Sequence, residues 1–315
     1  MAIATVLYSN HVNDGGIEVI GQINSDLLVR KTDGGYKQLY LLSENGELRQ
    51  TEGIKKINEE AFKDSTVGTD VYITDNGNAI TFISSAPSLT GYKPTDRHLY
   101  KANLTTGIST ILDTDSSGNV VKYSGDFEDR TYPDPNNHGP WHDGTCWHSI
   151  SENGRYVVFG TWRRESDLAG ESWSEENSNI NIFIKDTLTG DVKRIDKNVS
   201  DVSGGMELYI SKDGTRVCFD NRRVLIDIDN NNATDIYTIK NPFIYGNTEL
   251  EIASSDNGLI GSGPSGDGVL SNNGRYIAFR SSATNLYNGN ESSQILLKDL
   301  TTNEIFHITQ LNGSY

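Results

Sequence analysis

Three stretches of this chain, SENGRYVVF (151–159), SKDGTRVCF (211–219) and SNNGRYIAF (271–279), repeat one pattern at steps of 60 residues. A period of this length means that the chain is assembled from copies of one supersecondary unit. A looser copy, TDNGNAITF (74–82), lies 77 residues before the first, and VNDGGIEVI (12–20) lies 62 before that. In each, Asn-Gly or Asp-Gly supplies the positive backbone angles of a tight hairpin turn, and the apolar run after it reads as a buried strand. A second apolar stretch follows in every copy: QLYLL (38–42), HLYKA (98–102), NIFIK (181–185), DIYTI (235–239) and QILLK (294–298). Next comes a turn at Gly46, Gly107, Gly190, Gly246 or Asn303, then one more short strand such as DVKRI (191–195) or EIFHI (304–308). Each repeat therefore predicts a four-stranded antiparallel sheet.

Sheets this small cannot bury both faces alone, and radial stacking is the solution that also protects their edges. The expectation is an all-β chain, a single β-propeller domain over residues 1–315 with five four-stranded blades. The N-terminal ATVLYS is expected to pair with the C-terminal strand and close the ring. A sixth blade within 113–147 is the alternative, disfavoured because that segment lacks apolar alternation. Composition agrees: 31 Gly and only 35% hydrophobic residues suit half-buried strands joined by polar turns. With 27 Lys plus Arg against 43 Asp plus Glu, the formal charge is −16. That repels a nucleic-acid backbone and leaves cations, neutral glycans or basic proteins as partners. Two cysteines cannot staple the chain, and Cys218 in RVCF reads as a small buried hydrophobe. No run reaches the length of a membrane span. The start MAIATVLYSN lacks a basic region followed by a long apolar one, so no signal peptide is expected there; the chain is made without a leader or has lost it.

The pattern S-x-[DN]-G-x-x-[VI]-x-F followed by DIYTIK or NIFIKD resembles the TolB-type propeller repeat of many bacterial proteins, although the proline after its serine is missing here. The resemblance spans nearly the whole chain. It implies the fold, and leaves activity open because the family's functions are diverse. Binding of protein partners, peptidase-associated propellers and glycan-active enzymes all occur in it, and an extracellular or periplasmic setting is expected.

In such blades the loops between second and third strands, and those between blades, emerge opposite the Asn-Gly hairpins. The long segments here are of those two kinds, 113–147 and 160–180, so function is expected on their face. Within the second-to-third-strand loop of the fourth repeat, LIDIDNNNATDIYTI, the residues Asp227, Asp229, Asn231 and Asp235 stand at positions one, three, five and nine. Calcium takes six to eight hard oxygens, which these side chains, the Ala233 carbonyl and water would supply. The spacing is similar to the D-x-D-x-D-G-x-x-D loops of integrin α-subunit propellers, with Asn232, a residue tolerant of left-handed backbone, in the place of glycine. A solvated acidic loop is the competing reading.

The segment 132–149 gathers His138, His142, Cys146 and His148 with Trp141, Trp147 and Asp143. Its spacing matches no strong zinc signature. A ligand surface, with indoles stacking on a sugar or peptide and imidazoles giving directional hydrogen bonds, competes with a loop that plugs the channel by its own aromatics. Trp162, Arg163 and Arg164 in the next loop would hold an anionic group or merely neutralise nearby acids. No nucleophile elbow, phosphate-binding loop or His-Glu-x-x-His is present. The presumed first strands, VYIT, HSIS, LYIS and GVLS, offer only His148 as a catalytic group. The reading is thus a non-catalytic, calcium-stabilised binding propeller for a glycan or protein, with no catalytic residues assigned. A carbohydrate-active hydrolase or lyase using His142 or His148 as base, or a structural subunit of a secreted or viral assembly, are the alternatives.

Overall fold

The computed structural model describes residues 17–33, 36–62, 71–84, 97–120, 145–161, 181–196, 207–222, 224–246, 248–286 and 293–308. The S-x-[DN]-G pattern explains itself in atomic detail. Ser151, Ser211 and Ser271 donate their hydroxyls to Asn153, Asp213 and Asn273 at 2.7–2.8 Å. The same hydroxyls accept the backbone N–H of Tyr156, Arg216 and Tyr276 at 3.0 Å. One side chain thus braces both sides of each turn, and the Gly closes it with positive φ, +76° at Gly214. A side chain could not replace that glycine: a Cβ would stand 2.6 Å from the ring of Tyr156 in the preceding sheet.

The chain divides into two compact units, Met1–Asp113 and Thr114–Tyr315. In the first, β1 (Ile17–Ile23), β2 (Asp26–Asp33), β3 (Tyr36–Leu42) and β4 (Leu48–Arg49) make one sheet. After helix α1 (Glu52–Ile57) and a π-helical turn (Asn58–Phe62), β5 (Val71–Thr74), β6 (Ala79–Ser84), β7 (His98–Asn103) and β8 (Ser109–Ile111) make the next. The second unit holds β9 (Thr145–Ile150), β10 (Tyr156–Thr161), β11 (Asn181–Asp186) and β12 (Val192–Arg194). It continues with β13 (Leu208–Ile210), β14 (Arg216–Asn221), β15 (Asp235–Lys240), helix α2 (Pro242–Tyr245) and β16 (Glu251–Ile252). A small hairpin, β17 (Ser255–Asp256) and β18 (Leu259–Ile260), precedes β19 (Ser265–Leu270), β20 (Tyr276–Ser281), β21 (Gln294–Asp299) and β22 (Ile305–His307). All five four-stranded sheets are antiparallel and run in chain order from first to fourth strand, the form of propeller blades.

Equivalent strands carry equivalent aromatics. Phe82 on Tyr100, Phe159 on Phe183 and Phe219 on Tyr237 are cross-strand partners with ring centroids 5.7–5.8 Å apart, all fully buried. Each such pair is worth about 0.5–1.5 kcal/mol beyond its burial. In the second unit the turns also bond to one another: Glu152 donates its N–H to the Lys212 carbonyl at 2.8 Å, and Asp213 to that of Asn272 at 3.0 Å. Every turn residue assigned between third and fourth strands, Gly46, Gly107, Gly190, Gly246 and Asn303, has positive φ.

Two features differ from the sequence reading. IEVIGQI is the first strand of its sheet, not the second, because the turn after it lies at Asn24, with φ +54°. The Asp-Gly at 14–15 suggested an earlier turn; those residues, like ATVLYS, lie outside the described ones. The sheets β1–β4 and β19–β22 are each completed by four consecutive strands. The second feature is α1. Thr51 caps it, accepting the Ile54 N–H at 3.2 Å, and Ile54, Ile57 and Ala61 bury one face. Asn58 then accepts the Leu39 N–H and donates to the Leu39 carbonyl at 2.9 and 3.0 Å, acting as a strand where β4 stops. No helix among the described residues is long and apolar enough to cross a membrane.

Candidate functional site

The loop 225–235 carries β14 into β15 and folds back on the connection between β16 and β19. Asn232 takes the left-handed conformation, φ +58°. Asn231 accepts the Ala233 N–H at 2.8 Å and donates its Nδ2 both to Asp235 at 2.8 Å and to the Gly261 carbonyl at 2.7 Å. Asp235 is fully buried, and its other oxygen accepts the Ser254 hydroxyl at 2.6 Å. Asp229, 4% exposed, accepts the Tyr237 hydroxyl on Oδ2, while its Oδ1 is buried without any hydrogen-bond partner. Burial pushes the Asp235 carboxyl up to about 6; the bonds from Ser254 and Asn231 oppose this and the charge of Asp229 adds to it. Burial, then the bond to Asp229, raises the Tyr237 phenol. Asp227 is exposed.

These residues offer a hard cation one unsatisfied, buried carboxylate oxygen at Asp229 and a second buried carboxylate at Asp235 that is costly to ionise alone. That donor chemistry fits calcium. Asn231 fits less well, because its amide nitrogen already stands between Asp235 and a carbonyl, where it does part of a cation's work. No group of three or more His, Cys, Asp or Glu side chains poised for a metal occurs among the described residues. A calcium shell would therefore lean on the Ala233 and Gly261 carbonyls and on water.

Asp235 also belongs to a series that the sequence reading missed. In four of the five sheets the last residue of the second strand and the first of the third face each other as a polar pair: Ser84 and His98, Thr161 and Asn181, Asn221 and Asp235, Ser281 and Gln294. All eight are buried. In three sheets a residue at or beyond the fourth strand completes a polar clasp: Asp113 to His98 at 3.4 Å, Ser254 to Asp235, and His307 to Gln294 at 2.7 Å. Aligning the repeats on the first residue of the third strand would have exposed this register.

Beside the loop lies a cleft of about 1010 Å³. Lys193, Arg194 and Ile195 on and after β12 form one side. Residues Val224–Ile228 and the segment around Pro242, Gly246 and Leu250 form the others. Arg194 is held by the buried Asp196 at 2.7 Å.

Trp147 packs half-buried against the core of the second unit, and His148 is buried in β9. Trp141, His142, Trp162, Arg163 and Arg164 lie outside the described residues, as do most of 113–147 and 160–180. One statement from sequence is corrected: His148 is not the sole candidate group on the first strands. Asp267 stands in a bulge of β19 with φ +59°, and Glu207 precedes β13, donating its N–H to Asp220 at 2.7 Å. Burial pushes Asp220 up to about 6; the N–H bond from Glu207 opposes this, and the charges of Glu207 and Asp267 add to it.

No protein-family model matches the chain, and no curated protein sequence matches it significantly. Solved structures do. A prolyl endopeptidase is 12% identical with TM-score 0.55, covering 96% of this chain and 37% of its own. An oligogalacturonate lyase in complex with manganese is 14% identical with TM-score 0.54, covering 94% of this chain and 66% of its own. TolB from Acinetobacter baumannii is 15% identical with TM-score 0.47, covering 93% of this chain and 51% of its own. The chain thus spans between about a third and two thirds of these proteins. Identities this low speak to fold alone, an all-β fold of propeller blades.

Proposed function

We propose that this chain is a non-catalytic binding propeller that recognises a protein or glycan on the side of its second-to-third-strand loops. Calcium held at Asp229 and Asp235, with Asp227, Asn231 and the Ala233 carbonyl nearby, stabilises it, and it works in an extracellular or periplasmic setting. The observation that carries the reading is the buried, partnerless Oδ1 of Asp229 beside a second buried carboxylate. A buried oxygen of this kind calls for a water or an ion to complete it, and the neighbouring carboxylate of Asp235 favours a cation. The test is calorimetric titration of calcium into protein stripped with chelator, followed by glycan arrays in both states. Saturable binding with no product supports the reading; absence of calcium uptake removes the ion from it.

A second reading is a carbohydrate-active lyase or hydrolase. It is favoured by the carboxylates Glu207, Asp220 and Asp267, one of them with a raised proton affinity suited to acid–base work, and by the likeness to an oligogalacturonate lyase. Incubation with oligogalacturonate and manganese decides it: bond cleavage that Asp220→Asn abolishes would establish an enzyme.

A further inference from the structure

We infer that the cleft between β12 and the 224–228 loop is the ligand site, and that it takes an extended peptide segment of a partner protein, with aliphatic side chains and an acidic residue. This deepens the binding reading above and rests on it. The cleft is lined by the loop that precedes β15, by Ile239 of that strand and by the turn that follows it, so its lining brackets the length of the strand. Six strand residues at about 3.4 Å each make that roughly 20 Å, the reach of a peptide of similar length. The volume of about 1010 Å³ stands at the top of the range of about 300–1,000 Å³ usual for small-molecule sites.

The lining selects the chemistry. Val224 and Ile228, 49% and 58% exposed, flank the opening, and Ile226, Ile239 and Leu250 continue the aliphatic wall. Among the described residues no aromatic ring lines it, so a sugar would find no face to stack on. Charge is present and unspent. Lys193 extends its ammonium to the Pro242 carbonyl at 3.2 Å and over the Phe243 ring at 4.8 Å, yet no carboxylate pairs with it among the described residues. In a chain of net charge −16, a cation held by neutral groups alone is available to an incoming acid. Asp227 and Glu249 also border the cleft without an ion-pair partner among the described residues. Aliphatic walls with unpaired charge of both signs complement a peptide segment and not a neutral glycan. Because Asp227 and Ile228 belong to the proposed calcium loop, occupancy of that loop sets the position of one wall.

The test is selection from a displayed random peptide library on the intact chain, with calcium and with chelator. Binding of the best labelled peptide is then measured on the native chain, Ile228→Glu, Val224→Glu and Lys193→Glu. The substituted side chains are exposed, and each variant is checked by its melting curve. The expected result is enrichment of aliphatic peptides with an acidic residue. Affinity should fall at least tenfold in Ile228→Glu, and Lys193→Glu should lose the preference for acid. No enrichment, or peptides that bind Ile228→Glu as tightly as the native chain, would overturn the inference. Glycan-array hits unaffected by Ile228→Glu would overturn it while leaving the binding reading intact, and failure of calcium uptake alone would touch only the ion.

Discussion

Asp229→Asn separates a cation site from an acidic turn, because the two make opposite predictions for one substitution. Asn keeps an oxygen for the Tyr237 hydroxyl and replaces the buried, partnerless Oδ1 by an amide without charge. If the charge on that oxygen is simply uncompensated when calcium is removed, exchanging it for a neutral amide, whose N–H groups still lack an acceptor, relieves at most about 2 kcal/mol. For a chain of 315 residues a change of this size moves the midpoint upward by roughly 3 °C. In chelator the variant should therefore melt above the native protein. In calcium the order should close or reverse, since the native chain gains about 2.7 kcal/mol at a hundredfold excess over the dissociation constant and the variant gains little. Differential scanning calorimetry in both buffers is the assay. A variant that melts lower in chelator, or that keeps the full calcium shift, refutes the argument.

Asp235, raised to about 6 from an unfolded value near 3.9, contributes stability that is full below pH 3.9 and lost as pH rises through 6, on the order of 2 kcal/mol. Saturating calcium keeps the carboxylate ionised and should flatten that decline in urea titrations run across pH. Asp299, held down at about 2 chiefly by the hydrogen bond from Arg275, acts in the other direction. Asp299→Asn should be destabilised at neutral pH, with the deficit closing as acid unfolding is followed from about pH 4 to 2. Lys298, lowered to about 8 by burial, donates to the Ser255 hydroxyl at 3.1 Å. The unfolded chain binds more protons between pH 8 and 10.5, so stability should climb across that window, and Lys298→Met should abolish the climb in denaturant melts. Gly53→Ala would place a Cβ 2.3 Å from the Leu104 carbonyl oxygen, a backbone overlap that should cost more than about 2 kcal/mol in the same measurement.

What the sequence made legible is what local chemistry decides. Ser151, Asn153 and Gly154 specify their turn without help from the rest of the chain, so the copies at 211 and 271 were readable by eye. The glycines and Asn303 that end the third strands were readable for the same reason. The turn at Asn24 carries no such pattern, and only the pairing of Ile23 with Asp26 reveals that IEVIGQI is a first strand. Helix α1 is too short for its spacing of Ile54, Ile57 and Ala61 to outweigh the strand pattern around it. The clasp at Asp235 joins residues 19 apart, and the Asn231 bond to Gly261 spans 30, so neither has a local signature. The cleft is assembled from two sheets and has none either. Asp267 escaped notice because the bulge between Gly266 and Val269 breaks the alternation by which a strand face is read.

The clasp sharpens the question posed by the acidic loop. At the first position of the third strand four of the sheets carry His98, Asn181, Asp235 and Gln294, and in three of them that residue hydrogen-bonds across a buried corner. A neutral amide, Gln294, meets that need in one of the three. The fourth sheet instead places a full carboxylate there, buries it completely, and sets a second carboxylate near enough to raise its proton affinity. Hydrogen bonding alone gives no reason for that charge, whereas a cation does. Asp235→Asn should then keep the bond from Ser254, give up the one from Asn231 at a cost of about 1 kcal/mol in chelator while staying folded, and lose the response to calcium. If it unfolds in both buffers instead, the charge serves the clasp itself, and the loop after Leu225 is an acidic turn like any other.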